Sequence, residues 1–363
     1  MKKSIAFVLP NLNAGGAERV VCTLANLLIK EFNVSIILLY KTESFYELNP
    51  KINVSFCANT YNPTTNIFQS LSNHFLLVKN LVKNLKFNKV DIVIGFLPVT
   101  NVYSIVASKI LKIPNIISER ANPNYSTLNR FWTIIRKITY PFSDCLVVQT
   151  PANKIYFKSY MKSDIQIINN PINMDLLKNK DPSIEKENII LNVGRLAKPK
   201  NQDLLIRAFS NINNSEWKLV LVGAGINHKQ YEDLIISLDM QDKIILAGNI
   251  SDVSTYYNKA KIFAFTSEYE GFPNVILEAM SYELACISTN CPHGPSEIIR
   301  NNKNGILIPV SDQKALEMNL TKLIEHEDLR RLLGRNALKS TLTYHPTSIV
   351  LQWTELINKL TDN

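Results

Sequence analysis

The segment Val193-Gly194-Arg195-Leu196-Ala197-Lys198-Pro199-Lys200-Asn201 sets two cations five residues apart, just after an apolar, β-branched run. Arg195 offers a planar, two-pronged guanidinium that fits a phosphate, and Lys200 a mobile point charge. Such a pair suits a diphosphate leaving group. The same pattern also occurs as solvated bases on a surface loop. Seventy residues beyond Lys200, Glu270-Gly271-Phe272-Pro273-Asn274-Val275-Ile276-Leu277-Glu278-Ala279-Met280 places two carboxylates eight apart across a loop–helix junction. Gly271 permits a tight turn whose N–H groups face outward where a helix begins. Glu270 and Glu278 can then reach different hydroxyls of one extended ligand. Glu278 as a solvated or capping residue is the plainer alternative.

Three further loops have useful chemistry. Asn13-Ala14-Gly15-Gly16-Ala17-Glu18-Arg19-Val20 follows the first apolar run and opens a helix, where paired glycines let a ligand approach the backbone and the helix start favours an anion. It is not G-x-G-x-x-G, and the second strand ends in Leu39-Tyr40-Lys41 without the acid that a dinucleotide ribose needs. Ser118-Glu119-Arg120-Ala121-Asn122-Pro123 ends another apolar run. Cys291-Pro292-His293-Gly294-Pro295-Ser296-Glu297 leads from a strand into a helix, so its backbone can reach a phosphate or a base. His293 alone in such a loop is more often incidental than catalytic.

The elements that must hold these loops alternate as strand and helix. Strands are predicted at 5–9, 34–40, 90–95, 115–118, 145–149 and 165–168, with helices at 17–30 and 75–86. After Asn169 the rhythm restarts, with strands at 189–193, 219–222, 244–247, 262–266, 285–288 and 306–309. This alternation predicts an α/β chain of two Rossmann-like, doubly wound domains facing a central cleft. The predicted boundaries are 1–169, a polar linker 170–188, 189–345, and a last helix within 346–363. Open parallel sheets bind ligands at the carboxyl ends of their strands.

Taken in order, GGAERV, VGRL…K and the E-x7-E element, spaced about 180 and 75 residues apart, resemble glycosyltransferase family 4 of the GT-B fold. Gly223 and Gly225 in LVGAG and Asn170-Pro171-Ile172 also fit. The resemblance implies that Arg195 and Lys200 hold the donor diphosphate, that Glu270 contacts the transferred sugar, and that Glu278 binds the ribose. It implies that Gly194, Gly223 and the amides of Phe272, Pro273 and Asn274 line the donor, and that Gly15 and Gly16 admit the acceptor and donor phosphate. Segments similar to Glu119-Arg120 line the acceptor side, although many relatives have a histidine there. The CPHGP segment resembles members that use UDP-N-acetylgalactosamine, UDP-galactose or UDP-N-acetylglucosamine. Retention follows from the resemblance, through an oxocarbenium-like state and same-face attack. The chain has no D-x-D, the usual metal-binding alternative to Arg/Lys, so neither metal nor cofactor is expected. The last helix is expected to cross back onto the first domain.

The chain has 363 residues and a net charge of +9, with five cysteines in no metal-binding or disulfide spacing. Free thiols suit a reducing cytoplasm. The apolar start is too short for a signal peptide, and no run is long enough to span a bilayer. Residues 1–170 hold 19 Lys and Arg against 8 Asp and Glu, a net +11, while the remainder is net −2. Lys79, Lys83 and Lys86 share one helical face, and Arg130, Arg136 and Lys137 interleave with Phe131, Trp132, Tyr140 and Phe142. Basic charge beside aromatics suits an anionic membrane surface, here the cytoplasmic face of the inner membrane, where a polyprenyl-diphosphate-linked saccharide acceptor would sit. O-antigen or capsule assembly is the context implied. A solvated basic face is the alternative. The net-negative second half and the lack of any nucleic-acid module argue against nucleic-acid binding. A nucleotide-sugar epimerase of the same architecture remains open and would need no acceptor.

Overall fold

The computed structural model describes residues 2–61, 66–125, 128–213 and 216–362. They divide into one unit of Met1–Pro171 with Pro346–Asn363 and a second of Ile172–His345. The first unit is built on β1 (Ser4–Leu9), β2 (Asn33–Tyr40), β3 (Asn53–Ala58), β4 (Ile92–Phe96), β5 (Asn115–Ser118), β6 (Cys145–Val148) and β7 (Asp164–Ile167), ordered β3-β2-β1-β4-β5-β6-β7. The second is built on β8 (Ile189–Val193), β9 (Lys218–Val222), β10 (Ile244–Gly248), β11 (Ile262–Phe265), β12 (Ala285–Thr289) and β13 (Ile306–Ile308), ordered β10-β9-β8-β11-β12-β13. All strand pairs are parallel. The expected doubly wound α/β class is borne out in both units.

Helices on both faces explain why the strands are apolar almost without interruption. Along β1, Ile5, Phe7 and Leu9 enter one core while Ala6 and Val8 enter the core on the opposite face. In the second unit Ile190, Leu219 and Leu221 face one layer, and Leu191, Val220 and Val222 the other. Each such Val, Leu, Ile or Phe side chain contributes roughly 1.5–3 kcal/mol by leaving water.

Strand β3 lies outside the sequence expectation. Only Cys57 in it is buried, and Val54 and Phe56 are exposed, so it lacks the apolar run that marks its neighbours. It sits at the sheet edge and pairs with β2 alone. The polar stretch 170–188, expected as a linker, is largely part of the second unit. It holds the short helix Met174–Lys178, whose Leu176 is buried in the second unit's core and whose Leu176 carbonyl accepts a bond from Tyr282 Oη.

The final helix, Pro346–Thr361, packs on the first unit. Ile349, Trp353 and Ile357, spaced four apart, enter the core that also holds Leu24 and Leu28 of the helix Gly16–Leu28. Trp353 is fully buried and stacks on Phe96 with centroids 5.9 Å apart. No helix among the described residues is long and apolar enough to cross a membrane.

Candidate functional site

In the second unit the strand order reverses between β8 and β11. The crevice beyond the carboxyl ends of such a strand pair is where open α/β sheets bind ligands. Strand β8 delivers Gly194 to Lys200 there, and β11 delivers Ser267 to Glu270. The two loops are stitched together: the Glu268 amide donates to Pro199 O at 2.8 Å, and Thr266 Oγ1 donates to Lys200 O at 3.0 Å. Thr289 at the end of β12 donates to Ser267 O at 2.6 Å, adding a third strand end.

Lys200 Nζ lies 2.5 Å from Glu270 Oε1, with both side chains mostly but not fully covered. The ammonium also sits 5.4 Å from the centroid of the Phe265 ring. Arg195 is exposed, and its guanidinium has no partner among the described residues. Cys291 is buried beside this pair; burial, with the Glu270 charge, pushes its thiol up to about 12. It is an inert thiol rather than a nucleophile.

Glycines bring the supporting loops into contact. Gly223 has φ +144°, and a Cβ there would stand 2.0 Å from Gly194 O. A Cβ on Gly225 would stand 2.1 Å from Leu196 O. A Cβ on Gly194 would stand 3.9 Å from the Lys200 stem. The loops after β8 and β9 therefore stack backbone on backbone, which orients the segment carrying Arg195 and Lys200.

Past Glu270, Phe272 is buried against Tyr344, with centroids 5.9 Å apart, and Pro273 caps the helix Asn274–Ser281. The outward amides expected across 272–274 are fewer than the sequence implies. Proline has none, and Asn274 N donates back to Phe272 O at 3.0 Å. That leaves the Phe272 amide without a backbone acceptor among the described residues. Glu278 lies in the second turn of this helix, is 4% exposed, and accepts from Tyr257 Oη at 3.2 Å. Tyr257 carries no motif, and sequence reasoning misses it.

In the first unit, Gly15 and Gly16 follow β1 as expected, but the Gly15 amide is engaged. It donates to Tyr46 Oη at 3.2 Å, and Tyr46 Oη donates to Gly15 O at 3.0 Å. Glu119, just past the end of β5, is buried and accepts from Tyr140 Oη at 2.5 Å, with Arg136 Nη1 3.9 Å away. Burial raises its carboxyl, partly offset by Arg136 and Tyr140. Arg120 lies 4.8 Å from the Phe96 centroid and 5.8 Å from that of Trp353. Its Nη1 donates to Asn170 Oδ1 at 2.9 Å, and burial pulls the guanidinium down to about 9. Glu119, expected on an acceptor side, is thus engaged within the first unit, whereas Arg120, expected there too, is held through Nη1 and has Nε and Nη2 without a partner among the described residues.

Residues 14–176 match the model of Glycosyltransferase Family 4, and residues 173–340 that of Glycosyl transferases group 1. The chain is 33% identical over 97% of its length to the GalNAc-alpha-(1->4)-GalNAc-alpha-(1->3)-diNAcBac-PP-undecaprenol alpha-1,4-N-acetyl-D-galactosaminyltransferase of Campylobacter jejuni, covering 98% of that protein. It is 29% identical to the N-acetylgalactosamine-N,N'-diacetylbacillosaminyl-diphospho-undecaprenol 4-alpha-N-acetylgalactosaminyltransferase of the same organism, over 90% of this chain and 92% of that one. Its fold is similar to the crystal structure of Anabaena HepE in complex with UDP, with TM-score 0.82 and 18% identity, covering 98% of this chain and 100% of that one. The sequence motifs, the paired parallel sheets and the full-length relatives agree: the chain belongs to glycosyltransferase family 4 and has the GT-B fold.

Proposed function

We propose that this glycosyltransferase moves an N-acetylhexosamine or hexose, N-acetylgalactosamine before galactose or N-acetylglucosamine, from a UDP-sugar to a polyprenyl-diphosphate-linked saccharide, with retention of configuration. The observation that carries the reading is the Lys200–Glu270 pair across the β8–β11 switch point, with the exposed, unpaired Arg195 on the same β8 loop. A diphosphate entering the crevice takes Lys200 from Glu270, and Arg195 adds a second cation to the departing charge. The released Glu270 carboxylate then accepts from hydroxyls of the transferred sugar, and Glu278 from the ribose. These cations stabilise charge that develops in the transition state, where such groups act most strongly. Both Campylobacter relatives are named for N-acetylgalactosamine transfer to undecaprenyl-diphosphate glycans, which supports the donor and the acceptor class. O-antigen or capsule assembly is the setting that follows.

The test is a donor screen with purified protein and a synthetic polyprenyl-diphosphate saccharide, with the product anomer assigned by NMR. The expected result is an α-linked product from UDP-N-acetylgalactosamine. Product from none of the UDP-sugars would overturn the reading. Because two cationic side chains take the part of a metal in this reading, activity should be unchanged in EDTA. Complete loss in EDTA with recovery on Mn²⁺ would refute the metal-independent mechanism.

The first unit supplies the surface for the acceptor's membrane. The helix Ile67–Phe87 exposes Phe68, Leu71, Phe75 and Leu76 in its first half, and Lys79, Lys83 and Lys86 in its second. His74 of this helix packs on Trp132 at 5.4 Å, joining it to the helix Arg130–Thr139, which exposes Phe131, Ile134, Lys137 and Ile138. Apolar side chains flanked by lysines suit shallow insertion into an anionic leaflet, each lysine contributing about 1 kcal/mol near the surface. Changing Lys79, Lys83 and Lys86 to glutamine together should cut sedimentation with phosphatidylglycerol vesicles at least tenfold. Undiminished sedimentation would count against membrane contact through this helix.

A further inference from the structure

One residue of the CPHGP loop has no part in the proposed reaction, yet its surroundings are unusual. The loop follows β12 and leads into the four-residue helix Pro295–Ile298. Cys291, at its start, lies close enough to Glu270 and Lys200 to feel both charges. Gly294 has φ +104°, and a Cβ there would fall 2.4 Å from Pro273 Cδ and 3.3 Å from Gly271 O. His293 is therefore bracketed by a residue beside the Lys200–Glu270 pair and one pressed on the Gly271–Pro273 turn.

His293 itself has φ +65°, a conformation that a side-chain-bearing residue adopts at a cost. The left-handed angle fixes where the ring can point, between Cys291 and Gly294. Its Nδ1 is buried with no hydrogen-bond partner among the described residues. Ser267 Oγ, on the loop that the end of β12 holds through Thr289, is likewise buried and unpartnered. His293 is only partly covered, and of its two ring nitrogens Nδ1 alone is buried without a partner, which leaves Nε2 as the nitrogen able to meet a ligand. A buried Nδ1 that meets no acceptor is better left without a proton, which puts the ring hydrogen on Nε2. Burial lowers the ring's proton affinity, so the group is neutral near pH 7. A neutral N–H suits a hydroxyl or amide oxygen; the diphosphate is already met by two full charges.

We propose that His293 is a specificity-determining residue of the donor site, its Nε2–H donating to a hydroxyl or acetamido oxygen of the transferred sugar. This rests on the donor-site reading of the Lys200–Glu270 crevice. No bond is made or broken at His293. It orients the sugar that Glu270 also holds, from the β12 side of the crevice.

The test titrates UDP and UDP-N-acetylgalactosamine separately into the full-length protein and its His293→Gly and His293→Asn variants, with thermal melts alongside. His293→Gly should hold UDP with unchanged affinity and lose about fivefold to tenfold for the UDP-sugar, the size of one neutral hydrogen bond. Its melting point should equal or exceed that of the parent, because glycine suits the backbone angle. His293→Asn, which tolerates the same angle and supplies an N–H, should recover part of the loss. With acceptor present, KM for the donor should rise while kcat changes less. Equal weakening for UDP and UDP-sugar would assign His293 to the nucleotide or to loop structure and overturn the proposal, as would no change in either. A parent protein that binds UDP but shows no added affinity for the sugar would refute this inference and spare the nucleotide reading. Failure to bind UDP at all would remove both.

Discussion

Lys200→Ala should lower turnover by about 10²–10³-fold, the usual cost of removing a preorganised charge that meets a developing anion. The loss should appear in kcat at saturating donor, because the departing diphosphate carries more exposed charge than the bound substrate does. Folding should survive. The Lys200 backbone is held independently, by Thr266 Oγ1 on its carbonyl and by its own amide on Ala197 O. The deleted side chain lies beside Gly194, over the Phe265 ring and against Glu270, and none of the backbone bonds named above depends on it. Lys200→Arg keeps the charge but cannot repeat the 2.5 Å contact with Glu270 in the same space, so it should recover only part of the rate. Steady-state kinetics with a circular-dichroism melt separates these effects. A Lys200→Ala enzyme within threefold of the parent would remove this residue from the chemistry.

Gly223→Ala should be the most damaging small substitution near the site, through structure rather than chemistry. At φ +144° the new methyl would meet Gly194 O at 2.0 Å, and neither backbone can withdraw alone. Gly194 N is tied to Val222 O at 2.9 Å, and Gly223 N to Gly248 O at 2.8 Å. Strain of roughly 1–3 kcal/mol from the backbone angle adds to that clash. The midpoint of thermal unfolding should fall by about 5–10 °C. UDP affinity should fall as well, since the loop bearing Arg195 must move. A variant with parental melting and parental UDP affinity would show that the stacked loops tolerate separation.

The residues proposed to do chemistry are legible because they follow the ends of strands. A strand end must be followed by a turn, and a turn that also meets a ligand has narrow requirements. Glycine at 194 and 271, cations at 195 and 200, and acids at 270 and 278 satisfy those requirements in one stretch each. The apolar strands are equally plain, since burial on both faces leaves little room for polar residues. What stays hidden depends on contacts between distant segments. Tyr46 reaches back 31 residues to close on Gly15, and Tyr257 reaches Glu278 from a preceding helix. Nothing local marks either tyrosine. Glu119 and Arg120 resemble ligands because they follow β5, but the aromatic and carbonyl partners that hold them come from residues 96, 140, 168, 170 and 353. The edge strand β3 fails to stand out because Asn53 and Ser55 interrupt its apolar residues and only Cys57 in it is buried.

The first unit is closed by the helix Pro346–Thr361. Trp353 and its neighbours fill a core whose other walls are made from residues 5 to 168. During synthesis those walls leave the ribosome nearly two hundred residues before the plug that seals them, whereas Ile172–His345 is one uninterrupted piece. The order of completion is thus inverted: the later-encoded unit can mature first, and the earlier one waits with an open apolar seam. Chaperone dependence should accordingly concentrate on the nascent amino-terminal half, and ribosome-stalled chains ending before Pro346 should display that seam.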